Sequence, residues 1–431
     1  MSNKKINIRV PVLARVEGEG ALELDIEQDR ITHLALNIFE PPRLFEKLLE
    51  GRHYTEVPDI VARICGICPV AYQMSAVHAF ESLFQTQITP WIDDMRRLFY
   101  CGEWIESHAL HIHLLAAPDF LGFDSAPAMA KKYPAEVKRG VEIQNLGNEI
   151  VRLLGGRSVH PVGVKVGGFY HAPNIDDVTS LLQKLKEKLP EVEAMLSWCA
   201  SFTLPDIEQD FVSVSLDDVD CYPMNSGNII SSEGLNLTVD QYQTVFNESH
   251  VAHSTALVSL MGDRPYLVGP LARLNLNMEK LPEQIKFVMA EHGLLFPSNN
   301  MYHSMVARAV EILYACYESI QILESYVVPD SPYAHVDVKS GVAYGATEAP
   351  RGLLWHRYEV DETGMIKHAT IIPPTSQNQA RMEEDLRIAL TQSGLDRAED
   401  DIRFQAEQII RNYDPCISCA THFLDLRINR K

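Results

Sequence analysis

Arg63-Ile-Cys-Gly-Ile-Cys-Pro69 and Asp414-Pro-Cys-Ile-Ser-Cys-Ala-Thr-His422 carry two Cys-x-x-Cys pairs near opposite ends of the chain, and their reading decides the fold. The i, i+3 spacing lets both sulfurs of a pair reach one cation, and thiolates suit soft or borderline metals such as zinc, nickel, Cu(I) and iron clusters. If one site takes all four, the 347 residues between Cys68 and Cys416 form a closed loop, and the ends must meet. A zinc knuckle is the plain alternative. It closes a short loop, however, and a chain this long has core enough to fold without a zinc staple. A disulfide framework also fits poorly, because no secretory signal opens the sequence and a thiol-reducing compartment disfavours permanent bridges. The expectation is a metal centre buried where the two cysteine segments converge.

Composition sets the frame around that centre. The 431 residues exceed the usual range of one domain, about 50–250, yet no linker, repeat or low-complexity stretch divides them. A single continuous domain over 1–431 is predicted. The 46% hydrophobic content supports a large core. No apolar run approaches the roughly 20 residues of a membrane helix, so direct membrane insertion is not expected. A net charge of −20 argues against a nucleic-acid partner, since phosphate binding needs a basic surface. Cys101, Cys199, Cys221 and Cys316 stand alone in apolar or helical surroundings and read as core thiols.

The pattern predicts an α+β fold, dominated by a long-helix bundle with small peripheral antiparallel sheets. Short alternating runs over 6–39, broken at Gly18, Gly20 and Asp29-Arg30, predict a β meander with Glu17 at a strand end. The stretch 41–330 reads as mainly helical, with helices at 41–50, 55–63, 70–87, 90–117, 134–155, 176–200, 280–293 and 300–328. That places the first cysteine pair on a turn between two helices. The β signal returns over 333–373, with Glu362-Thr-Gly364 as a hairpin turn. Helices at 380–393 and 398–411 then lead into the metal-binding loop of the 376–422 region, where Pro415 ends the preceding helix.

Taken together, Arg-x-Cys-Gly-x-Cys and Asp-Pro-Cys-x-x-Cys-x-x-His resemble the two nickel-binding signatures of the large, catalytic subunit of nickel-iron hydrogenases. Arg15-Val-Glu-Gly18, Arg43-Leu-Phe-Glu46 and Glu348-Ala-Pro-Arg-Gly352 extend the resemblance over residues 6–422. It implies the hydrogenase large-subunit fold and reversible cleavage of H2, which needs an electrophilic metal and a nearby base. It implies nickel held by Cys65, Cys68, Cys416 and Cys419, with Cys65 and Cys416 terminal. Cys68 and Cys419 would bridge to an iron carrying CO and two cyanides. Glu17 matches the glutamate that takes a proton from a terminal cysteine; without the match it would read as a surface carboxylate. Arg351, with Pro350, Asp119 and Asp414, matches a canopy over the open metal position, and a guanidinium is suited to hydrogen-bond cyanide nitrogen. In Ile372-Pro-Pro-Thr375, Pro374 and Thr375 match a cradle for the cyanides. Glu46 and His422 match ligands of a magnesium (or iron) ion near the C-terminus, completed by a carbonyl near Ile371 and Ile372; magnesium asks for few protein ligands. Where many relatives have histidine four residues after the second cysteine, this chain has Tyr72, a donor that cannot be cationic.

The same resemblance implies partners. No further cysteine cluster, Gly-x-Gly-x-x-Gly or phosphate-binding loop is present, so electrons must leave through another chain. An iron-sulfur small subunit is implied, with flavin- and NAD(P)-binding and further iron-sulfur subunits beyond it. The two cysteine motifs are most similar to cytoplasmic, multi-subunit hydrogenases linked to NAD(P), including sulfhydrogenases. A maturation endopeptidase is expected to remove residues 423–431 after nickel-insertion proteins have acted. Competing readings are a hydrogenase-like subunit linked to a deazaflavin or disulfide reductase, and a non-hydrogenase electron-transfer or structural subunit of the same fold, like the quinone-site subunit of respiratory complex I. That last branch lacks the nickel cysteines.

Overall fold

A computed structural model describes residues 5–421. The chain begins with an antiparallel meander, Lys5–Val10, Gly20–Glu27 and Arg30–Ile38, paired in chain order. Ile6, Ile8 and Val10 alternate inward, as half-buried strands require. The hairpin between the second and third strands turns on Gln28 and Asp29, both at positive φ.

Four long helices form the body: Pro90–Leu110, Pro134–Gly155, Ile175–Ala200 and Ser304–Glu324. The first two pack closely because Gly102 and Gly147 face each other. A Cβ on Gly147 would strike the Gly102 carbonyl and the Glu106 backbone, and one on Gly102 would lie 2.9 Å from Ile150. Ser304–Glu324 packs across both Pro90–Leu110 and Ile175–Ala200 and is buried along most of its length. Pro90–Leu110 continues into a π-helical turn, His111–Ala116, and a short α-turn, Ala117–Phe120, which carries Asp119. Such turns are frequent at functional sites.

The region around 205–268, where the sequence reading placed no helix, carries strands. It contains a three-stranded sheet, Val214–Asp217, Asn228–Ser231 and Asn236–Leu237, and a hairpin, Phe246–His250 with Leu257–Met261. Strands of two to five residues are too short to establish a period of two.

The C-terminal sheet, Gly341–Ala349, Gly352–Val360 and Ile366–Ile372, is antiparallel, with its second hairpin across 361–365. It packs against helix Pro69–Phe84, with Gly352–Val360 buried along most of its length. A Cβ on Gly345 would collide with the Ser75 carbonyl, and Ser75 Oγ meets Thr347 Oγ1 at 2.6 Å. Helices Pro374–Gln392 and Glu399–Asn412 follow, then a short turn of helix, Ile417–Ala420. No helix among the described residues is long and apolar enough to cross a membrane.

Candidate metal centre

The two cysteine segments meet. Cys65 and Cys68 lie on the turn between Val57–Val61 and Pro69–Phe84, while Cys416 caps the helical turn Ile417–Ala420 and Cys419 lies within it. All four sulfurs are buried and lie within 4.8 Å of one another. Cys65 Sγ is 3.4 Å from Cys416 Sγ, and Cys68 Sγ is 3.7 Å from Cys419 Sγ. Burial, then hydrogen bonding among the sulfurs, raises the Cys416 thiol well above its ordinary range. A bound cation reverses that balance by compensating the charge directly. The donor set thus fits a thiolate-preferring metal, and closure through 347 intervening residues draws the two cysteine segments into one core.

Glu17 and Arg43 fasten the second cysteine loop to the N-terminal part of the fold. Ile417 N–H donates to the Glu17 carbonyl at 2.9 Å, a parallel bridge that lays the second cysteine loop along the N-terminal segment. Arg43 reaches both loops: its Nη2 donates to the Ile64 carbonyl at 2.7 Å and to the Ser418 carbonyl, and its backbone N–H donates to the Thr421 carbonyl at 2.7 Å. Arg15, Leu44 and Asp414 all adopt positive φ at 57–61°, so left-handed backbone occurs in each segment that delivers Glu17, Glu46 and Cys416. For residues other than glycine this is a strained conformation that the surrounding structure must hold.

Around the sulfurs stand Glu17, Arg351, Asp414 and Thr375. Glu17 Oε2 accepts from Cys416 Sγ at 3.1 Å and from Ser418 N–H at 3.1 Å, within range of direct proton transfer. Glu19, two residues on, is exposed to solvent. Arg351 donates through Nε to the Asp414 carbonyl at 2.7 Å and through Nη2 to Asp414 Oδ1 at 3.0 Å. Its Nη1 is buried with no hydrogen-bond partner. Burial opposes its charge, but Asp414 and the sulfurs of Cys416, Cys68 and Cys65 outweigh that and raise its pKa. An orphaned guanidinium nitrogen beside the sulfurs offers the donor that a polar metal-bound ligand satisfies. Thr375 Oγ1 accepts from Cys416 N–H at 3.0 Å, so its oxygen orients the loop; Pro374 opens the helix carrying it.

Other expected residues lie further out. Asp119 turns to other partners than Arg351: its carboxylate is gripped by Arg15 and, at 2.7 and 3.0 Å, by Arg411. Pro350 contributes its carbonyl, which accepts from Arg273 at 3.2 Å. Glu46 Oε1 accepts from Ile371 N–H at 2.7 Å, which brings it to the strand expected to share its ion. His422 and the extension 423–431 lie outside the described residues. Tyr72 is fully buried, and burial followed by the nearby Cys419 and Cys68 thiols raises its phenol well above the usual range.

Several residues beside the centre escaped the sequence reading. Cys68 occupies the N-cap of Pro69–Phe84, yet its side chain makes no cap bond. Glu103, from Pro90–Leu110, substitutes for it: Oε2 accepts from Val70 N–H at 2.6 Å and Oε1 from Ala71 N–H at 3.1 Å. This satisfies the helix end while leaving the Cys68 sulfur available to a metal. Glu106, one turn on, is raised to about 8 by burial, with Arg351 acting against the shift and Cys65 adding to it. Arg273 and Glu311 form a buried pair behind Arg351. The available signal was charge within an apolar helical run, as with Arg308 and Glu311 in Ser304–Glu324.

Comparison with known proteins agrees with this geometry. The family model for nickel-dependent hydrogenases matches residues 43–141 and 260–422, which include all four cysteines. The alpha chain of sulfhydrogenase 1 of Pyrococcus furiosus is 32% identical over 99% of this chain and 100% of its own length. The corresponding chain of an F420-non-reducing hydrogenase of Methanothermobacter marburgensis is 31% identical over 97% of this chain and 95% of its own. Among solved structures, an NAD+-reducing [NiFe]-hydrogenase in the H2-reduced state superposes with a TM-score of 0.87 at 26% identity, covering 97% of this chain and 99% of that one. A buried four-thiolate pocket inside this fold defines a hydrogen-activating metalloenzyme. The chain belongs to the nickel-dependent hydrogenase family, as the catalytic large subunit of the nickel-iron type.

Proposed function

We propose that this chain cleaves H2 reversibly at a nickel-iron centre held by Cys65, Cys68, Cys416 and Cys419, and exchanges the electrons with NAD(P) through partner subunits. The observation carrying the site assignment is the convergence of four buried sulfurs with the Glu17 carboxylate, 3.1 Å from Cys416 Sγ, and the unpartnered Arg351 Nη1. The bound metals, with iron carrying CO and two cyanides, supply the electrophile that polarises the H–H bond. The protein supplies the rest. Cys416 Sγ passes a proton to Glu17 Oε2, and burial of the sulfur excludes bulk water from that step. Arg351, with Asp414 and Pro350, forms the canopy, and its Nη1 and Thr375 present donors toward the diatomic ligands. Asp119 supports that canopy at one remove, by holding Arg411 ahead of Asp414.

Glu46, a carbonyl near Ile371 and His422 take magnesium, and a maturation endopeptidase removes 423–431 after nickel insertion. An iron-sulfur small subunit receives the electrons, with flavin- and NAD(P)-binding subunits beyond it, in a cytoplasmic complex built on this single-domain chain. The NAD+-reducing structure supports this acceptor over the second reading, in which the electrons reach a deazaflavin or disulfide reductase. Infrared spectroscopy of the complex purified from its native source tests the centre. Bands from metal-bound CO and cyanide are expected, and their absence from fully metallated protein overturns it. Identification of the co-purifying chains separates the two acceptors.

A further inference from the structure

Behind the centre lies a buried charge network that the proton and metal chemistry does not use. Arg273, on helix Pro270–Asn277, is fully buried with all five of its N–H groups engaged. Nε donates to Glu311 Oε1 at 2.8 Å, and Nη2 donates to Glu311 Oε2 at 2.7 Å and to the Pro350 carbonyl at 3.2 Å. Nη1 donates to Glu348 Oε2 at 3.0 Å and to the Ala349 carbonyl at 2.8 Å. Two of the five bonds thus end on the two carbonyls immediately preceding Arg351.

We propose that Arg273, locked by Glu311, is the positioning residue that aims Arg351 at the metal centre. Glu311 is itself fixed on both oxygens, by Tyr222 Oη at 2.8 Å and His108 Nε2 at 2.9 Å as well as by Arg273. The Trp104 ring lies 4.4 Å from the Arg273 guanidinium, and its indole N–H donates to the Glu348 carbonyl at 2.9 Å. The turn is gripped from the other side by backbone. Gly269 heads the Arg273 helix, and a Cβ there would lie 2.9 Å from the Arg351 carbonyl. Gly352, at φ 131°, would place one 2.7 Å from Gly269 N. Residues 349–352 are therefore held between a saturated guanidinium and a glycine, and the Arg351 side chain leaves this turn for Asp414. Lysine at 273 keeps the charge opposite Glu311 but cannot span two carboxylates and two carbonyls.

The inference rests on the canopy role proposed for Arg351, and a double-mutant cycle in the complete complex separates the two. Arg351→Lys, Arg273→Lys and the double variant are compared by H2/D2 exchange, nickel per chain and the CO and cyanide infrared bands. Arg273→Lys is expected to retain nickel, shift the cyanide bands in the direction of Arg351→Lys, and lower exchange at least tenfold. The double variant is then no slower than Arg351→Lys alone. Effects that multiply, or unshifted bands, overturn the positioning role. Wild-type exchange in Arg351→Lys removes the canopy reading itself, whereas a slow Arg351→Lys beside a wild-type Arg273→Lys removes only the positioning. If Arg273→Lys does not accumulate as folded protein, Glu311→Gln replaces it in the same cycle, with the same two outcomes.

Discussion

Replacing Glu103 by glutamine tests whether a distant helix supplies the cap that Cys68 cannot. Glutamine keeps the shape, but its amide accepts through one atom only, so its NH2 group must face either Val70 or Ala71 donor to donor. One buried backbone N–H is then left without an acceptor, which costs about 1–3 kcal/mol. Because the lost bond lies in the first turn of Pro69–Phe84, the cost falls on local opening of that turn. At about 1.4 kcal/mol per tenfold, hydrogen exchange at Val70 and Ala71 should accelerate by about 5- to 150-fold. Amides in Pro134–Gly155 serve as the internal control. Exchange mass spectrometry on peptides covering 69–84 reads the effect directly. Unchanged exchange at 70 and 71, with native exchange elsewhere, would refute the borrowed cap.

Three further outcomes are expected. Glu17→Gln should leave nickel content intact and slow H2/D2 exchange by at least the roughly 10²-fold typical of a lost general base; a wild-type rate takes Glu17 off the proton path. Cys419→Ser should prevent assembly of the binuclear centre, so nickel and iron retained at wild-type levels would show that the four sulfurs are not one ligand set. The fold should also be acid-labile. Burial lowers His78 and His108 to about 4 and His111 and His113 to about 3. The unfolded imidazoles titrate near 6.5, so below that pH the unfolded chain binds more protons than the folded one. Stability is thus full above about pH 6.5 and falls as pH drops toward 3–4, by up to about 1.4 kcal/mol per pH unit for each imidazole. Denaturant midpoints that do not fall between pH 7 and 5 would contradict this.

The cysteine pairs were legible because a ligand motif is local: two sulfurs three residues apart state their chemistry wherever the fold places them. Glu17, Arg351 and Thr375 were legible only as parts of short motifs, and each stands beside the sulfurs. The long helices could be read from their period, as at 134–155, where the structure has Pro134–Gly155. The strands of 205–268 could not, since a pair such as Asn236–Leu237 is defined by its partner across the sheet and not by its own pattern. Glu103, Arg273 and Glu311 were hidden for a related reason. Each is one charged residue in a helix, and its meaning comes from groups 32 to 203 residues away in sequence. Asp119 was anticipated as part of the canopy, and it contacts Arg15 and Arg411 instead.

The clip formed by Arg43 gives synthesis a direction. Its two carbonyl partners, Ile64 and Ser418, leave the ribosome at very different times, and so do Glu17 and the Ile417 amide that pairs with it. Until the second cysteine loop is translated, the chain holds only Cys65 and Cys68 of the four sulfurs. Docking of that loop onto Arg43 and Glu17 brings the four sulfurs together. The helical turn that brings Cys416 and Cys419 is therefore the last part of the ligand set to be made.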